Sequence, residues 1–461
     1  MYYGGALIVW VLLLITLRVE NFGPFEEARV EIKPLTIFIG RNSVGKSALL
    51  YLAWALSSAT PAFGEVESGW EDYMKVVEAI VEKVERGESP REEIIEATRL
   101  FYRDVLTRAV EAGLEERLKY TFGVELRELV KQGKERAIVE LQAECGRFKA
   151  TISEALRVEE LDICLDRVLE TLQVERSTRD KHIRIRYADK EEEIAIYGVE
   201  DPGEFITRLI AYSTALAFHT LLLSTREFSL LLPDSRAGIA RALLKPYTTV
   251  SMPLGVDAEY RDLYFRLAEW LYKYRDVLED LRPLLEELGV TPRPLFKAGV
   301  YEVEVCSWTG KCAPISTAPS GVREVLSVAL ALVYPKHINV FVEEPEAHLH
   351  PKALRHLARL IARAVNGGKN VLVTTHSDYL IGYINNLIAA SRLPRDRLEE
   401  LGYREDEVLK PEKVAAYLIK PIGDKAVVEP IEIAEDGISE EEFSKIAEEI
   451  LGERSRIYAQ V

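Results

Sequence analysis

The sequence predicts an α/β fold, a mixed sheet flanked by helices with a large, mainly helical insertion, and three observations carry that reading. An apolar strand runs into a glycine-rich loop and then into a helix within residues 35–56. Apolar strands and amphipathic helices alternate over residues 322–390, as they do along a parallel sheet. Between the two lies a long stretch rich in Glu, Lys, Arg and Leu at helical spacing. The 461 residues allow roughly three compact units at about 150 residues each.

Each element follows from local pattern. Residues 14–19 and 28–32 alternate as half-buried strands, and Pro34 leads to a third strand, Leu35 to Ile39. From Lys46 the run Ser47-Ala48-Leu49-Leu50-Tyr51-Leu52-Ala53-Trp54 is apolar nearly all round, which predicts a buried helix ending before Pro61. Residues 65–136 read as an inserted helical subdomain whose alternating charges mark solvated faces. Two short strands around Gly146 and another pair around Ala188-Asp189 follow; period-two geometry puts His182, Arg184 and Arg186 on one face. Helices resume over 202–288, interrupted at Leu231–Gly238, and a hairpin spans Val300 to Pro314. The last third predicts helix 322–333, strand 338–342, helix 351–364, strand 370–375, helix 379–390, strands 414–419 and 426–433, and a short acidic helix. The domain reading is therefore a core of 14–64 with 295–461, a helical insertion 65–136, an antiparallel segment 137–200 packed on the core, and a helical subdomain 201–294.

Composition narrows the function. The chain carries 59 Lys plus Arg against 75 Asp plus Glu, a formal charge of -16. That balance speaks against a polybasic binder of nucleic acid or membrane surfaces, so DNA as a partner gains no support from net charge. The longest apolar run, Ala6 to Leu17, is shorter than the roughly 20 residues a membrane helix needs and lacks the preceding cations of a signal peptide. The expectation is a cytoplasmic protein whose first dozen residues are an extension or a mispredicted start, with a signal anchor as the alternative. Scarce Asn and Gln beside abundant Glu, Lys and Arg is a thermophile-like bias. Four cysteines match no zinc spacing. Cys306 and Cys312 flank a hairpin tip, so a bridge is open to them, although two unpaired thiols are the expected state.

Chemistry concentrates in four places. Gly40-Arg41-Asn42-Ser43-Val44-Gly45-Lys46-Ser47 fits the P-loop pattern G-x-x-x-x-G-K-[ST] and lies after a strand at the head of a helix. Glycines turn backbone N–H groups onto phosphates, the helix N-terminus adds positive potential, Lys46 reaches the terminal phosphates and the Ser47 hydroxyl suits Mg2+. A P-loop needs a second strand delivering a carboxylate, and residues 338–344 end an apolar run in Glu343-Glu344. Glu343 suits the metal, and Glu344, one step further, suits the base that polarises the attacking water. Ser320-Gly321 opens a helix and by itself reads as a cap. Finally, Glu346-Ala347-His348-Leu349-His350-Pro351 and Thr374-Thr375-His376-Ser377 follow the last two core strands, where ligands of open α/β sheets bind. A transition-metal site at His348 and His350 is not expected, because the loop after the acidic strand explains the spacing.

Taken in order, these motifs resemble the ABC-class ATPases, and within them the overcoming-lysogenization-defect (OLD)-like AAA family, relatives of the chromosome-maintenance and recombination ATPases. The resemblance covers residues 14–60 and about 300–390, with looser likeness at 232–238 and the C-terminal strands. It implies a P-loop NTPase core of ABC-ATPase type that binds ATP and Mg2+ and forms a homodimer through an ATP sandwich. Ser320 and Gly321 would then be the signature motif that contacts ATP held by the other subunit, Glu343 the metal-side acid, Glu344 the catalytic base and His376 the switch histidine. Asn42 fits the P-loop variant of the chromosome-maintenance relatives. The signature reads Ser-Gly-Val-Arg in place of Ser-Gly-Gly-Gln, and Gln142 and Arg236 are the nearest candidates for a glutamine loop. Only 85 residues follow His376, too few for the C-terminal nuclease domain of full OLD proteins. The function expected is ATP hydrolysis in DNA repair, genome maintenance or defence against phage and plasmids. The alternative is an ATP-gated module acting on a partner nuclease or other effector; a transporter subunit and an autonomous metal nuclease fit less well.

Overall fold

The computed structural model describes residues 15–66, 68–86, 88, 91–143, 146–162, 173–176, 183–186, 229–234, 236–242, 255–297, 299–335 and 339–460. The apolar run before Ile15, His182, the turn at Ala188-Asp189 and the helices expected over 202–228 lie outside them.

The first strands are β1 Ile15–Phe22, β2 Phe25–Ile32, β3 Leu35–Gly40, β4 Ala137–Gln142, β5 Arg147–Ile152, β6 Leu156–Asp162, β7 Gln173–Arg176, β8 Ile183–Arg186 and β9 Ser229–Leu232. Then come β10 Val290–Lys297, β11 Val300–Ser307, β12 Cys312–Pro314, β13 Asn339–Glu343, β14 Asn370–Thr375, β15 Val414–Ile422, β16 Lys425–Ile431, β17 Ile433–Ala434 and β18 Gly437–Ile438. Eleven of them form one mixed sheet in the order β6-β5-β4-β1-β2-β16-β15-β3-β14-β13-β9. Strands β9, β13, β14, β3 and β15 are parallel, so Leu232, Glu343, Thr375 and Gly40 arrive at one edge. This is a mixed α/β sheet flanked by helices, with a P-loop at the end of a parallel strand and antiparallel strands continuing from the parallel ones.

Alternation along β3 shows why the sheet is a middle layer. Phe38 faces one core with the P-loop helix Lys46–Ser58 and the insertion helices, while Leu35, Ile37 and Ile39 face a second core. That second core takes helices Val256–Lys273, Val277–Leu288, Ser320–Val333, Pro351–Asn366 and Asp378–Ala390. The insertion comprises helices Trp70–Arg86, Arg91–Leu100 and Thr107–Phe122, the last two joined by a π-helical turn. Strands β4 to β6 extend the core sheet itself, since β4 pairs with β1. Strand β8 pairs with β7.

Two elements differ from expectation for identifiable reasons. The interruption at 231–238 overlaps the end of β9, a four-residue strand beside β13 too short to register in the sequence. The hairpin gains a third strand, β10, whose Pro292 and Pro294 argue against a strand in sequence; β10 is the edge of its three-stranded sheet, where proline is tolerated. The expectation of two unpaired thiols is corrected: Cys306 and Cys312 are bridged. They are direct partners in the β11–β12 register, so strand pairing itself brings the sulfurs together.

Candidate functional site

The P-loop wraps from the end of β3 into its helix. A Cβ on Gly40 would lie 2.2 Å from the Ile419 carbonyl oxygen of the neighbouring β15, so only glycine fits there. Gly45, at φ +100°, caps the helix, and a Cβ on it would meet Pro24 and Phe25 at 2.6 and 2.7 Å. Arg41, Asn42 and Ser43 are exposed along the loop, and Val44 anchors it in the core. The Lys46 ammonium donates to the Gly40 and Arg41 carbonyls at 2.9 and 2.8 Å. Burial pushes its pKa down, and the fields of Glu344, Glu346 and Glu343 oppose that shift.

Strand β13 is buried throughout between β9 and β14, which is why Asn339-Val340-Phe341-Val342 reads as a continuous buried run before its acids. The Glu343 carboxylate accepts hydrogen bonds from the hydroxyls of Ser47 and of Tyr51, the latter at 2.5 Å, and from the Asp234 backbone N–H at 3.2 Å. Residues 47 and 343, remote in sequence, are thus in direct contact. Burial pushes the Glu343 carboxyl up, against the hydrogen bonds from Ser47 and Tyr51.

Glu344 turns out of the strand at φ +39°, and its N–H is held by the Thr374 carbonyl at 3.0 Å. Its carboxylate lies 3.1 Å from His376 Nδ1. Glu346 supports this arrangement from beneath: its Oε1 accepts from the Thr375 hydroxyl at 2.6 Å and from the His376 N–H at 3.1 Å. Burial raises the Glu346 pKa. Ser43, Glu344 and His348 all have positive φ, so three of the four such non-glycine residues among the described residues lie on these two loops.

Behind the acids, fully buried Arg236 donates to the carbonyls of Leu232, Glu343 and Glu344 at 3.2, 2.7 and 3.1 Å and pairs with Glu324 at 3.0 Å. It ties the ends of β9 and β13 to the helix Ser320–Val333, so its guanidinium is occupied by backbone carbonyls and Glu324. Gln142 is far off. Five strand steps, about 24 Å at 4.8 Å each, separate β4 from β3, and its antiparallel direction puts Gln142 at the opposite sheet edge.

Ser320 is the first residue of its helix, capped by Pro319 without a side-chain bond, so its hydroxyl is not engaged in capping. A Cβ on Gly321 would lie 2.5 Å from the His348 carbonyl oxygen. The helix Ser320–Val333 therefore sits against the loop after β13, yet Ser320 and Gly321 share no hydrogen bond with Gly40–Ser47 among the described residues. Arg323, the departure from Ser-Gly-Gly-Gln, is buried and donates to the Ala237 carbonyl at 3.1 Å. His348 and His350 are exposed, and no group of three or more His, Cys, Asp or Glu suited to a metal occurs among the described residues. Sequence reasoning missed Tyr51, although its position one helical turn after Ser47 places both hydroxyls on one face.

The arrangement offers a phosphate cradle, a hydroxyl and carboxylate of the oxygen-donor chemistry Mg2+ prefers, and a carboxylate–imidazole pair beside them. Residues 13–155 match the sequence model of the "AAA ATPase domain", and residues 310–382 match "AAA domain, putative AbiEii toxin, Type IV TA system". No curated protein is significantly similar to the chain. Among solved structures, an Smc head bound to the C-winged helix domain of ScpA is 10% identical, covering 92% of this chain and 98% of its own at a TM-score of 0.44. The SMC head domain from Thermotoga maritima is 11% identical, covering 92% and 100% at 0.33. The Smc head with extended coiled coil bound to the C-terminal domain of ScpA, derived from Pyrococcus furiosus, is 10% identical, covering 95% and 100% at 0.42. These likenesses are distant. The two sequence-model matches support an ATPase domain. No helix of the described residues is long and apolar enough to cross a membrane.

Proposed function

We propose that the chain hydrolyses ATP with Mg2+ between two copies paired head to tail, each copy completing the other's site with Ser320 and Gly321. The observation that carries this reading is the contact of Ser47 and Tyr51 with Glu343, which unites the phosphate cradle with the acidic strand. Lys46 and the backbone N–H groups of Gly40–Ser47 bind the phosphates. Ser47 and Glu343 hold Mg2+, which when bound neutralises charge on the transferring phosphoryl group. Glu344 accepts the proton of the attacking water, and His376, 3.1 Å from it, orients that carboxylate toward the terminal phosphate. The Ser320 hydroxyl has no hydrogen bond among the described residues, which supports a contact made in trans.

Replacing Glu344 by Gln is expected to abolish turnover while ATP stays bound; unchanged turnover contradicts the base assignment. Two inactive chains test the shared site. Lys46→Ala removes the cradle's cation and Ser320→Arg blocks the signature, so each is inactive by itself. A mixture regains activity because one of its two sites is intact, whereas activity of Ser320→Arg unmixed rejects the trans contact. The family resemblance links such ATPases to DNA repair, genome maintenance and defence against phage and plasmids, and we propose one of these settings, tested by whether DNA stimulates turnover.

A further inference from the structure

Every side chain described on the C-terminal helix Glu441–Tyr458 is exposed. Its second half is not an ordinary solvated face. Ile450, Leu451, Ile457 and Tyr458 are 56–72% exposed, and helical periodicity places all four within about 60° of Arg454. The stripe is thus apolar with a single arginine at its centre. Arg454 makes no ion pair among the described residues. Pairing two such stripes with each other would bury two like charges, so the complementary surface must be acidic as well as apolar.

Such a surface occurs among the described residues. A cleft of about 900 Å³ lies between the helix Asp378–Ala390 and the β17–β18 turn, lined by Asp378, Tyr379, Tyr383, Glu432 and Asp436 among others. Glu432 and Asp436 have no ion-pair partner among the described residues, and the tyrosines offer rings on which a guanidinium stacks. A chain's own helix does not reach its own cleft. Glu440, at the cleft wall, is the residue that caps the helix, and Arg454 stands about 20 Å further along a straight helix. A second copy has no such restriction, and twofold symmetry makes two equivalent contacts from one stripe and one cleft.

We propose that the Arg454-centred face of one chain docks into the acidic, tyrosine-lined cleft of a second copy, reciprocally. The cleft begins at Asp378, two residues after His376, so the contact joins the sheet edge that carries the nucleotide site. This association does not require nucleotide and stands apart from the ATP-dependent pairing proposed above.

Sedimentation equilibrium without nucleotide tests it, using the full chain. The wild type is expected at twice the 52.2 kDa chain mass. Arg454→Glu is expected to weaken self-association about tenfold or more, as loss of a central interface arginine does, and the pair Glu432→Lys with Asp436→Lys to do the same. Mixing the two variant chains restores one contact with its charges exchanged and leaves the other as in the wild type, so the dimer is regained, which a misfolded variant does not do. A monomeric wild type, a cleft variant that dimerises normally, or a mixture that stays monomeric overturns the proposal. The activity-regaining mixture of Lys46→Ala and Ser320→Arg chains is scored separately with ATP, so failure of either idea leaves the other readable.

Discussion

Glu343 shows how function costs stability at a single side chain. Its carboxylate is 4% exposed, and the hydroxyls of Ser47 and Tyr51 hydrogen-bond to it without supplying positive charge. Glu343→Gln keeps the shape and removes the buried charge, so it is expected to stabilise the nucleotide-free chain at neutral pH by about 1–2 kcal/mol. The sign follows from linkage. The folded carboxyl titrates above its unfolded value, so between the two the folded chain holds more protons and loses stability as pH rises. The advantage of Gln should therefore be absent below the ordinary carboxylate range and complete above the raised pKa. Melting temperatures across that range check this, and a lower melting temperature for Gln at neutral pH contradicts it. The same variant should lose Mg2+-dependent nucleotide binding.

Between elements, the helical insertion is locked to the P-loop helix by one cation. Arg117 lies 4.0 Å from the Trp54 ring, donates to Ser58 Oγ at 2.8 Å and pairs with Glu259 at 3.0 Å, joining the helix Thr107–Phe122 to two others. Arg117→Met removes the cation from the half-buried Glu259 and from the Trp54 ring and should cost about 2 kcal/mol, read as a lower urea midpoint at unchanged slope; a loss under about 1 kcal/mol, the scale of a surface pair, rejects this account. Elements like these divide by how much of their cause is local. The P-loop, β13 with its two acids and the helix at Ser320 were legible because apolar runs and turn residues determine them. Strand β10 was hidden because Pro292 and Pro294 are excluded from strands in general and admitted only at an edge, which is a property of the whole sheet. The Cys306–Cys312 bridge was misjudged because it depends on strand register. Arg236 stands beside the site, and only packing reveals that its guanidinium holds backbone carbonyls.

Across the whole molecule, two hydrophobic cores clamp one sheet from its two faces, and the parallel strands end together at one edge. That shared direction brings Gly40, Glu343 and Thr375 to one place although an insertion and a helical stretch separate them in sequence. The acidic balance of -16 is spread over this scaffold, and the cradle of backbone N–H groups with Lys46 works against it locally. The most direct test is a crystal grown with Mn2+ and a non-hydrolysable ATP analogue. The anomalous peak of the metal should lie between the Ser47 hydroxyl and the Glu343 carboxylate, with Lys46 moved from the Gly40 and Arg41 carbonyls onto the terminal phosphates. A metal bound elsewhere, or Lys46 still held by those two carbonyls beside bound nucleotide, would contradict the account.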